Sequence, residues 1–519
     1  MPIGFLGVFF VYPVATIIGR GLWPGGHLDL DPVRDVFGDP SLRSIAWFTL
    51  WQSALSTLLT VAVALPGAYA IARLRFPGRS MVRALVIVPF VLPTVVVASA
   101  FLSLGVTPSL GAILLAHVFF NYAVVVRVVG GLWSHLDPRQ EDAARVLGAS
   151  RARAFFSVTL PALRPALLAA ASIVFLFCFT SFGIILLLGG PARSTLETEI
   201  FRQTTQLLDL RTAAALSVVQ LLAVIAVLLV TGRAEGRRAV ALRLASARAT
   251  LRRPRAVGER VFVGANLLLM AVLLGAPLGV LIARSFATAG GPGLGHYRDL
   301  GELHAGSVLF VPPTEAIRNS LLYATAATAI ALVVGGMTAF AVARIRGARL
   351  VEGALALPLG VSAVTVGFGF LIALDEPPLD LRTSWILVPI AHALVAIPFV
   401  VRIVTPVLRS IDPRLREAAA VLGATPRRVW REIDVPIAAR SALIAAGFAF
   451  AISLGEFGAT VFLARPDAPT LPVVIFRLLG QPGSRNFGAA MAASTLLMAL
   501  TAVAVLAIER VRGREAALF

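Results

Sequence analysis

The sequence contains no lysine, so all 46 of its basic residues are arginines. That absence excludes a G-x-x-x-x-G-K-[ST] phosphate loop, which needs its lysine on the nucleotide phosphates. There is one cysteine, Cys178, so neither an intrachain disulfide nor a Cys-rich metal site is possible. Cys178 lies in an apolar run, where it reads as a small packing residue. Charged residues make up only 14% of the chain, far below the quarter or so usual in soluble domains. Acids and histidines are not clustered at metal-ligand spacing, so no metal and no bound cofactor are expected. No charged leader precedes the first apolar run, Ile3 to Ile18, which reads as a helix and not as a cleavable signal.

What fills the 519 residues is apolar: 58% of them are hydrophobic, and the mean hydropathy is +0.87. Apolar runs fall at 3–20, 45–72, 82–104, 110–132, 165–189 and 212–231, and again at 261–283, 316–343, 352–374, 384–407, 438–464 and 487–508. Each approaches or exceeds the roughly 20 residues needed to cross a hydrocarbon core as a helix. The expected fold is therefore an all-α polytopic membrane protein with about 12 transmembrane helices.

The net charge of +19 is spread between the spans, which argues against a nucleic-acid partner. Arg73, Arg75, Arg79 and Arg83 follow the second span, and Arg344, Arg346 and Arg349 the eighth. Arg510, Arg512 and Arg514 follow the last, while the linker 233–260 holds nine arginines against two glutamates. With alternating spans these all share one side. The positive-inside rule makes that side cytoplasmic, together with both termini, in a chain surrounded by membrane lipid.

The two sets of runs are copies. "DPRQEDAARVLGA" at 137–149 returns as "DPRLREAAAVLGA" at 412–424, an offset of 423 − 148 = 275. The same offset carries His117 to His392, Arg127 to Arg402, Pro161 to Pro436, Phe182-Gly183 to Phe457-Gly458, and "IFR" at 200–202 to "IFR" at 475–477. Six spans per copy give both the same orientation, hence parallel repeats about an axis along the membrane normal. The expected division is a first half at 1–232, the arginine-rich linker at 233–260, and a second half at 261–519.

The loops at 137–161 and 412–436 lie between the fourth and fifth spans of each half. Asp137 and Asp412 suit an N-cap, and Pro138 and Pro413 the first helical position. Gly148 and Gly423 suit the stop, after which Ser150 and Thr425 can cap a second short helix closed by Pro161 and Pro436. A DNA-reading helix-turn-helix would not be pinned twice against a bilayer. A plain connector of about 25 residues would be shorter and less patterned. Small residues on the first helix of each loop leave a smooth face instead, suited to a partner's groove.

An acid, then Ala-Ala, then glycine four residues on and proline thirteen later resembles the EAA loop of binding-protein-dependent ABC importers. Two such loops in one chain resemble the fused permeases of thiamine and ferric-iron importers, and the resemblance spans nearly the whole chain. It implies the type I importer permease fold and a place in the bacterial cell (inner) membrane. It also implies a coupling role for Asp142, Ala143, Ala144, Gly148 and Ala149, and for Glu417, Ala418, Ala419, Gly423 and Ala424. Asp142 stands where the family has glutamate, with the charge kept. The implied partners are a homodimeric ABC ATPase, on which ATP and Mg act, and an extracytoplasmic substrate-binding protein. The chain itself would be a non-catalytic permease.

An acid inside a span costs about 2.5–3.5 kcal/mol on insertion scales, so Glu456 is a candidate for the translocation path. Its repeat equivalent is Ser181, and both precede Phe-Gly near the expected middle of the fifth span. Asn121 is a further path candidate, against the alternative of an amide bridging helices. For Glu456 the alternative is an acid holding the two halves together. The matched His117 and His392 read as structural. "LAHVFFN", "CFTSFGIILLLGG" and "SLGEFGATVFL" look closest to thiamine-importer permeases. Ferric-iron permeases share the layout, sulfate and molybdate permeases share Gly-Glu-Phe-Gly, and a polyamine-type cargo is a further alternative. An ion-driven secondary transporter would have repeats but no need of two docking loops. A membrane enzyme would need a cluster of acid, base or metal groups that is not seen.

Overall fold

The computed structural model describes residues 2–23, 27–236, 246, 250–303, 307–344, 361–375 and 379–516, and these are helical nearly throughout. In chain order the first half comprises α1 (Pro2–Leu22), α2 (Pro40–Arg73), α3 (Arg79–Val91), α4 (Thr94–Ser103), α5 (Leu110–Trp133) and α6 (Arg139–Val146). It continues with α7 (Arg151–Phe179), α8 (Gly183–Leu188), α9 (Leu196–Arg202) and α10 (Leu210–Val230). The second half comprises α11 (Val257–Phe286), α12 (Pro313–Arg344), α13 (Ala363–Ala373), α14 (Leu387–Ser410) and α15 (Pro413–Val421). It ends with α16 (Pro426–Gly455), α17 (Thr460–Leu463), α18 (Leu471–Leu479) and α19 (Ser484–Ile508).

Among the described residues ten helices are long and apolar enough to cross a membrane, or eleven if α3 and α4 form one broken span. The expectation of about twelve straight spans is therefore corrected at particular places. The third run is bent by 103° between α3 and α4, because Pro93 follows Leu92 in extended backbone. Of its counterpart at 352–374, residues 352–360 lie outside the described residues, and the remainder forms the 11-residue α13. The runs at 165–189 and 438–464 are not single helices either. They break at 180–182 and 456–459, so the Phe-Gly pairs sit at the end of the fifth span and not in its middle.

Helix starts follow the side chains. Asp39 accepts from the Ser41 N–H at 2.7 Å, Ser109 from Ala112 at 3.2 Å and Ser362 from Thr365 at 3.0 Å, each satisfying an otherwise orphaned donor. Prolines stand inside spans, Pro66 in α2, Pro165 in α7, Pro398 and Pro406 in α14, where neighbouring helices compensate the lost bond. Paired helices begin at the sequence offset: α7 and α16 start at 151 and 426 (426 − 151 = 275).

The halves interlock. The position of a Cβ on Gly369 of α13 would lie 3.1 Å from Pro13 and 3.2 Å from Ile17 of α1, so the first helix of the first half lies on the second half. Reciprocally, α11 reaches the first half, where a Cβ on Gly67 of α2 would lie 2.7 Å from the Met270 methyl. Linker residue Arg252 is pinned to the end of α2. Its N–H donates to the Arg73 carbonyl at 3.1 Å, its carbonyl accepts from Arg75 at 2.9 Å, and its guanidinium pairs with Glu259 at 2.7 Å.

Candidate coupling loops and interhelical centre

In both loops the sequence specifies the turn locally. Asp137 accepts from the Arg139 N–H at 3.0 Å and Asp412 from Arg414 at 2.9 Å. The helices α6 and α15 end on Gly148 and Gly423, at φ +90° and +81°. There the Ala149 N–H donates to the Ala144 carbonyl, and Ala424 to Ala419, both at 3.0 Å, closing a left-handed C-terminal turn. Ser150 and Thr425 then cap the next helix through the Arg153 and Arg428 N–H groups. Pro161 and Pro436, expected to close a separate second helix, do not. Each helix runs on into the span as α7 or α16, with a π turn at Phe155–Thr159 and Trp430–Asp434 just before the proline, where the Leu160 and Val435 N–H groups donate to the Phe155 and Trp430 carbonyls.

Of the residues picked from the motif, Asp142, Ala143, Gly148, Glu417, Ala418 and Gly423 are exposed, while Ala144, Ala149, Ala419 and Ala424 are half-buried. What the motif reading missed is the tip. Val146 and Leu147 are 86% and 88% exposed, and Val421 and Leu422 are 88% and 86% exposed. The signal was present in the sequence, since the repeated Val-Leu-Gly places two adjacent apolar side chains at the end of a short helix rich in charged and small residues. A matched pair of bare apolar tips is a surface waiting for cover.

The loops are tied to their halves differently. In the first, Glu141 accepts from the Thr159 hydroxyl at 3.0 Å. In the second, the equivalents are Arg416 and Asp434, with Arg416 donating at 2.8 Å and Arg344 at 2.9 Å to a buried Asp434. The charge has changed sides while the connection persists.

In the apolar interior, His117 and His392 each bridge helices. His117 hydrogen-bonds Ser56 and Ser181, both at 2.9 Å, and His392 bonds Ser453 and Thr460, both at 2.7 Å. No group of His, Cys, Asp and Glu that could hold a metal occurs among the described residues. Ser181 and Glu456, both buried, are therefore brought into matched networks, one per half, each centred on a histidine. Glu456 accepts from the Ala459 N–H at 2.9 Å, the Thr460 N–H at 3.0 Å and the Thr460 hydroxyl at 2.6 Å, and lies 3.3 Å from His392 Nε2. Its carboxylate caps α17. Asn121, also buried, donates to the His117 carbonyl at 3.1 Å and to Cys178 Sγ at 3.6 Å, and its Oδ1 has no partner.

A buried acid that the sequence reading did not select is Glu197, on α9. It accepts from Ser362 of the second half at 3.1 Å and from Gln220. Nothing in "STLETEIFRQ" separates it from Glu199, which instead pairs with Arg202 at 2.7 Å.

Residues 36–234 match the family model described as the binding-protein-dependent transport system inner membrane component. The chain is 29% identical to the thiamine transport system permease protein ThiP of Brucella abortus (strain 2308), over 97% of this chain and 94% of that protein. It is 27% identical to ThiP of Escherichia coli (strain K12), over 92% of this chain and 91% of the relative. A probable ABC transporter permease protein, y4fN of Sinorhizobium fredii (strain NBRC 101917 / NGR234), is 26% identical over 97% and 94%.

Proposed function

We propose that the chain is an inner-membrane component of a binding-protein-dependent transport system, given the family match of residues 36–234 and the similarity over nearly the whole chain, and that it forms the translocation path of an importer for thiamine or its phosphates. We propose too that α6 and α15 couple it to a separate ATPase dimer. The thiamine reading rests on full-length similarity to proteins named as thiamine permeases. The coupling reading rests on one observation, the paired apolar tips Val146-Leu147 and Val421-Leu422 beside left-handed glycines. The loop residues from Asp142 to Ala149 and from Glu417 to Ala424 are then the contact surface. Both termini lie on the ATPase side, and an extracytoplasmic binding protein meets the opposite face.

In this reading ATP closes the ATPase dimer and draws the two tips together. Because α6 and α15 are tied by Glu141–Thr159 and Arg416–Asp434 to the third turns of α7 and α16, the pull passes directly into those spans. The halves rock, the path opens toward the binding protein, and hydrolysis returns it. The interior residues Glu456 and Ser181 hold helix ends in register, and Asn121 sits between α5 and α7. The test is uptake of labelled thiamine by cells expressing the chain with its cognate ATPase and binding protein. Ferric iron, sulfate, molybdate and polyamine serve as competing cargos, and the cargo reading fails if thiamine is ignored while one of these is taken up.

A further inference from the structure

Four phenylalanines close a ring where the halves meet. Phe182 of the first half stacks on Phe457 of the second with centroids 5.4 Å apart and planes at 23°. Phe182 also meets Phe201 edge-on at 5.5 Å, and Phe457 meets Phe476 at 5.4 Å. Phe201 and Phe476 close the circuit at 6.4 Å. The residues are two pairs at the repeat offset, since 457 − 182 and 476 − 201 are both 275. The ring therefore sits on the approximate twofold axis relating the halves, where a central path must run. Phe182, Phe201 and Phe457 are 6%, 8% and 2% exposed and Phe476 is half-buried, so the ring is closed to solvent on most sides.

Glycines let the backbone pack closely beside the ring. A Cβ on Gly183 would stand 3.4 Å from the Phe457 ring and 2.6 Å from the Thr94 hydroxyl, and one on Gly455 would stand 3.2 Å from Pro93 of the other half. The level in the membrane is set by chain length. From Leu160 to Phe179 the last part of α7 rises about 30 Å, so the ring lies at the end of the spans away from the coupling loops. The helix α9 that carries Phe201 also carries the buried Glu197, whose partners Ser362 and Gln220 are both neutral.

We propose that Phe182, Phe201, Phe457 and Phe476 are a specificity device for an aromatic cation, stacking on one another when the path is shut and on the cargo when the halves part. The inference rests on the thiamine reading. Thiamine joins an aminopyrimidine to a positively charged thiazolium, and both rings are flat. Parting the halves uncovers ring faces whose quadrupoles favour an offset π partner or a cation. The cargo takes up ring faces that opening has bared, so it is held in the path once the ATPase has parted the halves. A patch of leucines of equal size would seal as well but would give a cation no such face.

The test uses the whole importer, with its ATPase and binding protein, in proteoliposomes supplied with labelled thiamine. The variants are the double substitutions Phe182→Leu/Phe457→Leu and Phe182→Tyr/Phe457→Tyr. With leucine, thiamine uptake should fall about tenfold, from loss of a cation–π contact. ATP hydrolysis stimulated by the loaded binding protein should stay within about twofold. With tyrosine, which keeps the ring, uptake should return. Leucine variants that transport like the parent overturn the proposal, and so do leucine variants that lose uptake and stimulated hydrolysis together, because the rings would then be structural. If the parent itself does not take up thiamine, the cargo reading fails first and carries this inference with it.

Discussion

Truncating the loop tips isolates docking from folding. Leu147 and Leu422 are 88% and 86% exposed, so replacing either by alanine should change the stability of the chain by no more than about 0.5 kcal/mol. If each side chain is buried in an ATPase groove, alanine removes three carbons at about 0.8 kcal/mol each, or about 2.4 kcal/mol. At about 1.4 kcal/mol per decade, that is roughly fiftyfold in affinity per loop, and above a thousandfold for Leu147→Ala/Leu422→Ala if the loops dock independently. The assay is binding of purified ATPase to detergent-solubilised permease, with thermal unfolding of the permease alone as control. Unchanged unfolding with lost binding is the expected result. A double variant that binds within about threefold of the parent would refute the idea that these tips are the contact.

The remaining predictions concern the interior and the hinges. Glu456→Gln leaves one carboxylate oxygen fewer for four donors, and should destabilise the chain by about 2–3 kcal/mol in a thermal melt. A variant that keeps full stability yet loses uptake would instead put Glu456 on the path. Gly423→Ala meets no neighbour but is held at φ +81°, so it should cost about 1 kcal/mol, from backbone strain alone. Gly367→Ala places its Cβ 2.7 Å from the Ala459 Cα, a backbone atom that cannot yield cheaply. Its melt should show a loss nearer 1–3 kcal/mol. Asp434→Asn strips the shared acceptor from Arg344 and Arg416, which are 47% and 28% exposed, and should cost about 1–2 kcal/mol after allowing for solvent screening. The same melt on Thr159→Val should show a smaller loss, because the first loop rests on one hydroxyl.

Much of the fold was legible because a bilayer imposes a strong constraint on sequence. Twenty apolar residues, an Asp before a Pro, or a Gly after a Leu each have a local meaning that a chain carries with it, and α5, α6, α10, α15 and α19 fall where those signals stand. The two glycine-hinged loops were legible for the same reason and because they occur twice, 275 residues apart. Hydropathy does not report where an apolar run turns. The runs at 82–104, 165–189 and 438–464 read as continuous, yet the first is broken where Pro93 follows extended Leu92, the second at 180–182 where Ser181 turns to His117, and the third where the Glu456 side chain caps a new helix. Nor does it report partners. Glu456 read as a costly acid because sequence gives the burial cost but not the donors, which arrive from Thr460 in the next turn and His392 on another helix.

By itself the sequence determined that the chain is membrane-spanning, duplicated, without a nucleotide-binding lysine, and equipped with two glycine-hinged loops, since each of these is a property of composition or of local spacing. Only tertiary structure decided that the Val-Leu tips stand bare, that the acids at 197 and 456 are satisfied, and that Phe182, Phe201, Phe457 and Phe476 form one closed ring. These depend on which surfaces of the two halves meet, and a contact between residues nearly three hundred positions apart leaves no periodic mark along the chain.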